Sequence, residues 1–73
     1  MGRSYPARSK DLSPRELDLL RRIAAGQLQA EAAAEMLVSR AMAEDHSWEF
    51  RRKLGARTVA QAVAIAVRRG IIE

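Results

Sequence analysis

The apolar positions after residue 11 recur at helical spacing, beginning with a segment that has clear start and stop signals. Leu17, Leu20 and Ile23 follow one another every three residues, which places them on one face of a helix. The run Ser13-Pro14-Arg15-Glu16 combines a capping serine, a first-turn proline and an acidic third residue, as at many helix starts. Gly26 is a typical stop. These signals predict helix 1 over residues 14–25.

The middle of the chain predicts two further helices that are separated by a short interruption. Residues 29–37 are helical in composition, and helical composition resumes at Arg40 after Val38-Ser39. Ser39 is placed to cap helix 3 and Gly55 to end it. The spacing predicts a core side of Ala43, Ser47, Phe50 and Leu54. It predicts an outward side of Arg40, Ala41, Glu44, Asp45, Trp48, Glu49 and Arg52.

The last segment predicts helix 4 from a capping box, Thr58 with Gln61, to Gly70. Ile71 and Ile72 are then expected to close over the core. The helix carries a broad apolar surface of Val59, Ala62, Val63, Ala66 and Val67. Since this surface is wide for a helix with few partners in the chain, we predict that part of it is a dimer contact. Packing against helix 1 alone is the alternative.

Length and composition exclude several classes of function. A chain of 73 residues forms one domain at most and leaves no room for a cleft lined by both cofactor and substrate, so no enzyme and no cofactor are predicted. It has no cysteine and a single histidine, His46, so neither a disulfide nor a metal site is expected. No apolar run approaches the roughly 18 residues of a membrane span. A cytoplasmic protein without membrane contact is therefore predicted.

The charge is mildly basic, +4 from 13 Lys and Arg against 9 Asp and Glu. Residues 1–11 contain Arg3, Arg8 and Lys10 against Asp11, without apolar periodicity. They are predicted to form a flexible basic arm, in the simplest case a solvated tail, with contacts between its arginines and phosphates as the alternative. A charge of this size favours nucleic acid only weakly.

Six motifs in the same order and spacing resemble the LuxR-type, GerE-like helix-turn-helix domain over residues 12–73. The resemblance implies an all-α fold of four helices, with helices 2 and 3 as the DNA-contacting pair, helix 3 in the major groove and helix 4 pairing two subunits. The motifs are Leu12-Ser13-Pro14-Arg15-Glu16; Leu20, Ala24 and Gly26; Glu31 and Ala33; Ser39 and His46; Arg52-Lys53-Leu54-Gly55-Ala56-Arg57; and Gln61-Ala62-Val63-Ala64.

The resemblance further implies a small stand-alone transcriptional regulator that binds double-stranded DNA at inverted repeats as a homodimer. The implied DNA-binding residues are Arg40, Ala41, Glu44, Asp45, His46, Trp48, Glu49, Arg52, Lys53 and Arg57. The implied dimer interface is the helix 4 surface, Val59, Ala62, Val63, Ala66 and Val67. His46 has two interpretations: its imidazole donates a hydrogen bond to a phosphate oxygen, or it is a partly exposed surface residue.

The chain departs from the family pattern in the part that would contact DNA. Leu28-Gln29 stand where the family favours Thr or Ser followed by Asn, and Leu37 replaces the glycine between helices 2 and 3. Met42-Ala43-Glu44 replace the usual Thr-Val-Lys, and Glu49 replaces a residue such as Asn. Since basic side chains at phosphates supply most nonspecific affinity, Glu44, Asp45 and Glu49 oppose binding. A carboxylate can still accept a hydrogen bond from cytosine N4.

These departures leave three alternatives open. Because residues 30–54 contain neither Gly nor Pro, one continuous helix through Val38 could replace the bend and favour a swapped dimer. An exposed Trp48 could mark a protein partner, or it could fold back over helix 2. The chain could also act as an antagonist that forms a heterodimer with another LuxR-type regulator through helix 4 and does not bind DNA.

Overall fold

The computed structural model describes residues 11–73 of the chain. This part holds four helices and no strand: α1 Pro14–Ala24, α2 Gln29–Met36, α3 Arg40–Leu54 and α4 Val59–Arg68. The predicted all-α, four-helix fold is therefore confirmed. The predicted basic arm lies outside the described residues, apart from Asp11.

The core forms where α1 packs on α3, with α2 and α4 closing the two sides. The predicted core side of α3 is confirmed, since Ala43, Ser47, Phe50 and Leu54 are all buried. On α1 the structure buries Leu19 together with Leu20 and leaves Leu17 and Ile23 at the edge of the core, so the apolar face is rotated from the prediction. The buried apolar residues are Leu12, Leu19, Leu20, Ala32, Ala33, Ala43, Phe50, Leu54, Ala62, Ile65, Ala66, Ile71 and Ile72.

Side chains cap three of the helices at their first turn. Ser13 Oγ accepts from the Glu16 amide at 3.1 Å while Glu16 Oε1 accepts from the Ser13 amide at 3.0 Å, so the predicted capping box of α1 forms in full. Ser39 Oγ caps α3 through the Met42 amide at 3.0 Å. Such caps satisfy amides that have no partner inside the helix.

The start of α4 differs slightly from the predicted capping box. Thr58 Oγ1 accepts from the Gln61 amide at 3.0 Å as expected. Gln61 Oε1, however, accepts from the Arg57 amide at 2.6 Å, one residue before the cap. The glutamine therefore fixes the loop that enters α4.

The bend between α2 and α3 is built by the backbone at Leu37. Its φ of 61° and ψ of 38° lie in the left-handed helical region, which no other non-glycine residue of the described part occupies. The Leu37 amide donates to Ala34 O at 3.2 Å, and the Val38 amide donates to Ala33 O at 3.1 Å. This is the Schellman arrangement, which ends helices and usually has glycine at the left-handed position.

The same arrangement ends α3, with glycine in place of leucine. Gly55 has φ 71° and ψ 31°, and the Gly55 and Ala56 amides donate to Arg52 O and Arg51 O at 3.2 and 2.8 Å. Leucine thus adopts the backbone that glycine adopts 18 residues later. The alternative of one continuous helix through Val38 is wrong, because α2 and α3 are separate helices.

Replacing Leu37 with glycine should stabilise the domain. A residue with a Cβ is disfavoured in the left-handed region by roughly 1–2 kcal/mol, and glycine's added freedom in the unfolded chain offsets part of that gain. The Leu37 side chain is 91% exposed, so its removal loses little packing. We expect Leu37→Gly to raise the free energy of unfolding by about 1 kcal/mol in urea titrations.

The matched control is Gly55→Ala, where an added Cβ meets no atom within 4 Å. Because only the backbone conformation opposes this change, it should lower the free energy of unfolding by about 1 kcal/mol. A destabilised Leu37→Gly protein would contradict the assignment of strain to Leu37.

Candidate nucleic-acid interface

The bend at Leu37 leaves one side of α3 open to solvent along its length. Arg40, Ala41, Glu44, Asp45, Trp48 and Arg52 are exposed, and Glu49 is half-buried. These residues lie on the outward side that helical spacing predicts. They face outward because Phe50 and Leu54, on the opposite side of the same helix, pack into the core.

Charge changes sign along this outward side. Glu44 and Asp45 lie N-terminal to Trp48, whereas Arg51 and Arg52 lie C-terminal to it. Glu44 Oε1 accepts from Gln29 Nε2 of α2 at 2.9 Å, which ties the two helices together across the bend. The outward side of α3 is therefore mixed in charge rather than uniformly basic, with an acidic pair one turn before Trp48 and a basic pair one turn after it.

Trp48 occupies the boundary between the two halves. Its side chain is 55% exposed, and the Arg52 guanidinium carbon lies 6.0 Å from its ring centroid. Arg52 Nη2 also forms an ion pair of 2.8 Å with Glu49 Oε1. Trp48 borders a surface cleft with Arg51, Arg52, Ala56 and Arg57, towards the C-terminal end of α3. It does not fold back over α2.

The ammonium group of Lys53 forms an ion pair with a carboxylate of its own chain. Its Nζ lies 2.8 Å from Glu16 Oε1, with side chains 26% and 7% exposed, so the ion pair joins α3 to the start of α1 below the surface. Glu16 Oε1 is thus shared between the capping box and the lysine. Burial by itself raises the pKa of Glu16, but the hydrogen bonds from Lys53 and Ser13 outweigh it and lower the pKa below its ordinary value of 4.5.

The three remaining charged or polar contacts of the prediction differ in access, because two are exposed and one is half-buried. The Arg40 side chain is exposed and makes no hydrogen bond or ion pair with the described residues, and Arg57 is exposed in the loop before α4. His46 is half-buried, and its Nε2 is buried with no hydrogen-bond partner within residues 11–73. A phosphate contact from Nε2 would therefore require the imidazole to turn.

The surface of α4 is narrower than the sequence predicts. Ala62 and Ala66 are 0% exposed and belong to the core of the chain itself, so they offer nothing to a partner in this structure. Val59 and Val63 are half-buried, and Val67 is 48% exposed. The exposed apolar stripe runs through Ala60, Ala64 and Val67, with Val63 at its edge. Ala60 and Ala64 are absent from the predicted set, whose own alanines, Ala62 and Ala66, lie on the buried side of α4 instead.

Two of these contacts have no signal in the sequence. The Glu16–Lys53 pair spans 37 residues, and the Gln29–Glu44 bond spans 15. Glu16 was assigned only to the capping box, and Lys53 only to DNA. A single sequence does not indicate which polar side chains of elements far apart in the chain will contact each other.

Within residues 11–73 no group of three or more acidic, histidine or cysteine side chains is arranged to hold a metal ion. None of the described helices is both long and apolar enough to cross a membrane.

A short helix, a tight bend and a second helix with an exposed outward side define a helix-turn-helix protein. The family model GerE, bacterial regulatory proteins of the luxR family, matches residues 10–66. The chain belongs to this LuxR family of transcriptional regulators.

One curated relative, the transcriptional regulatory protein MctR of Rhizobium johnstonii, is 36% identical over 72 residues. The match covers 99% of the present chain and 34% of MctR, so the chain spans about a third of the length of that relative. No solved structure matches the chain significantly.

The ion pair between Glu16 and Lys53 makes the stability of the domain sensitive to acid. Because folding lowers the pKa of Glu16, the stabilisation from this pair is present at pH values above 4.5, the ordinary pKa of the group. It is lost as the pH falls below that value. Glu16→Gln keeps a side chain able to form the capping box but removes the charge. We expect it to lower the free energy of unfolding by about 1–3 kcal/mol at pH 7, with a smaller difference at pH 3, measured by urea titration.

Glu49→Gln is the control, since it removes an ion pair on the surface of α3. That pair should contribute no more than about 1 kcal/mol. Equal losses for the two variants, or a Glu16→Gln effect that persists undiminished at pH 3, would contradict the role given to the buried pair.

Proposed function

We propose that the protein is a cytoplasmic transcriptional regulator that binds inverted-repeat DNA as a homodimer, with α3 in the major groove. The observation that carries this proposal is the exposed outward side of α3, held away from the core by a bend between two separate helices. An α-helix presented in this way fits the width of the major groove, and two-fold pairing matches two half-sites.

The phosphate contacts in this proposal come from arginines at both ends of α3. Arg40 is at its N-terminal end, Arg51 and Arg52 are in its last turns, and Arg57 follows in the loop before α4. Guanidinium groups suit phosphate because they donate two parallel hydrogen bonds. Lys53 has a smaller part than the sequence suggests, since a phosphate would have to compete with Glu16 for its ammonium group.

The three carboxylates oppose DNA less than their number suggests. Glu49 is paired with Arg52, and Glu44 accepts a hydrogen bond from Gln29. Asp45 is exposed and makes no contact of this kind with the described residues. Asp45 is thus the carboxylate best placed to accept from cytosine N4 at a base edge. Trp48, Ala41 and His46 complete the proposed contact surface.

The proposed dimer uses the exposed stripe of α4, formed by Ala60, Val63, Ala64 and Val67. Small residues allow two helices to approach closely, and Val67 adds an exposed apolar side chain of some size. An isologous contact of this kind places the same stripe against itself.

A second function is favoured by the ion pairs of α3. With Lys53 and Arg52 paired inside the chain and Glu44 and Asp45 exposed, the net attraction for DNA is weakened. The chain would then act as an antagonist that pairs with another LuxR-type regulator through α4. Such a heterodimer could not hold both half-sites.

Gel-shift assays over a range of salt concentrations separate these functions. For the regulator, affinity should fall steeply as salt rises, because phosphate contacts release counterions. Arg40→Ala and Arg57→Ala should each weaken binding to all sequences and reduce the salt slope by about one. The control Arg21→Ala, which borders residues 70–73 at the end of α1, should not. Absence of binding at low salt would reject the regulator and favour the antagonist.

The dimer contact is tested with Val67→Glu. A carboxylate within this apolar stripe must be buried unpaired on association, so the variant should be monomeric in sedimentation and should lose affinity for a palindromic site. Ala34→Glu, on the exposed side of α2, adds the same charge outside the stripe and should leave the dimer intact. If both proteins sediment alike, α4 is not the contact.

A further inference from the structure

We propose that the outward side of α3 binds a second copy of itself in an antiparallel pair. The surface concerned, here called the Trp48 face, consists of Glu44, Asp45, Trp48, Arg51 and Arg52. This contact is distinct from the α4 stripe. It uses part of the α3 surface that the proposed function places against DNA, so one copy cannot make both contacts at once.

The five residues form one continuous surface on the helix. In a helix of 3.6 residues per turn, positions three and four before and after a residue lie on the same side. Glu44 and Asp45 therefore lie one turn before Trp48, and Arg51 and Arg52 lie one turn after it. Trp48 is more than half exposed, whereas the buried residues of α3 lie on the opposite side.

This surface is complementary to itself only when the two helices run in opposite directions. With a two-fold axis passing between the two Trp48 side chains, Glu44 faces Arg51 of the second copy and Asp45 faces Arg52 of the second copy, because residues seven positions apart share one lateral side of the helix. The two-fold axis repeats each contact, so four pairs of opposite charge form. In a parallel arrangement carboxylate would face carboxylate, and the pairing would be repulsive.

Trp48 provides the apolar centre of the proposed contact. Tryptophan is among the residues most enriched at the buried centres of interfaces, with charged residues at the rim. In the monomer the Arg52 guanidinium already lies near one side of the ring. In the pair, the two Trp48 side chains would meet near the axis and exclude water from each other.

The division of the Trp48 face into an acidic pair and a basic pair favours a second copy as its partner over DNA or a charged peptide. A DNA duplex is uniformly negative, so it matches the arginines and opposes Glu44 and Asp45. A basic peptide matches only the acidic half and an acidic peptide only the basic half. Both the acidic pair and the basic pair of the Trp48 face are matched by an inverted copy, in which Arg52 divides its guanidinium between Asp45 of that copy and Glu49 of its own chain.

Trp48 is the single tryptophan of the chain, so its fluorescence reports this contact directly. At low salt, the emission maximum should move to shorter wavelength as protein concentration rises, because the ring leaves water. The protein concentration at the midpoint of this emission shift should rise with added salt, since screening weakens exposed charge pairs. Emission that is independent of concentration into the millimolar range would overturn the proposal.

Charge reversal identifies the pairs. Glu44→Arg/Asp45→Arg changes two exposed side chains and should raise the midpoint at least about tenfold, because like charges then meet across the axis. Arg51→Glu/Arg52→Glu should do the same. An equimolar mixture of the two variants should restore the shift, since the reversed halves complement each other. Arg15→Glu/Arg21→Glu, on the exposed side of α1, is the control and should leave the midpoint unchanged.

Far-UV circular dichroism establishes that each variant is helical. If Arg51→Glu/Arg52→Glu does not fold, the result for Glu44→Arg/Asp45→Arg decides, because neither Glu44 nor Asp45 is buried. An unchanged midpoint in that variant overturns the proposal. So does a shift that Val67→Glu abolishes while the charge variants retain it, because α4 would then cause the change around Trp48.

Discussion

The arrangement of this domain depends on the backbone at Leu37. Only a left-handed residue lets the last carbonyls of α2 be satisfied by the Leu37 and Val38 amides, so that the chain can leave one helix and start the next. Val38 then packs on the core, and Ser39 caps α3. Leucine accepts this conformation at a cost because Ala32, Ala33 and Ala43 bring α2 and α3 together in the core. Tertiary packing thus overrides a local preference for continued helix.

The charges on α3 have a similar dependence on tertiary contacts. Counted along the sequence, Arg52 and Lys53 belong to a basic region that suits phosphate. In the folded chain Lys53 neutralises buried Glu16, and Arg52 pairs with Glu49 beside Trp48. The surface that remains has an acidic half and a basic half. This division links both proposals, since it weakens the match to DNA and creates a match to an inverted copy.

The LuxR family provides the fold, and the departures from its pattern define what is particular to this chain. Leu28 supplies no capping side chain, and Glu31 instead accepts from the Leu28 amide at 2.8 Å. Glu44, in place of a basic residue, binds Gln29 and so joins the two helices. The replacements at the candidate interface are thus accommodated by contacts between α2 and α3. The domain keeps its shape while the chemistry of its exposed face changes.

The four helices, their caps at Ser13, Ser39 and Thr58, and the buried side of α3 are all predicted from the sequence. These features depend on residues within a few positions of one another, so periodicity and capping signals suffice. The sequence does not predict that Leu37 adopts the backbone conformation usual for glycine, that Ala62 and Ala66 are core rather than surface, or that Lys53 is held by Glu16. Each of these depends on contacts between elements distant in the chain, which local patterns do not encode.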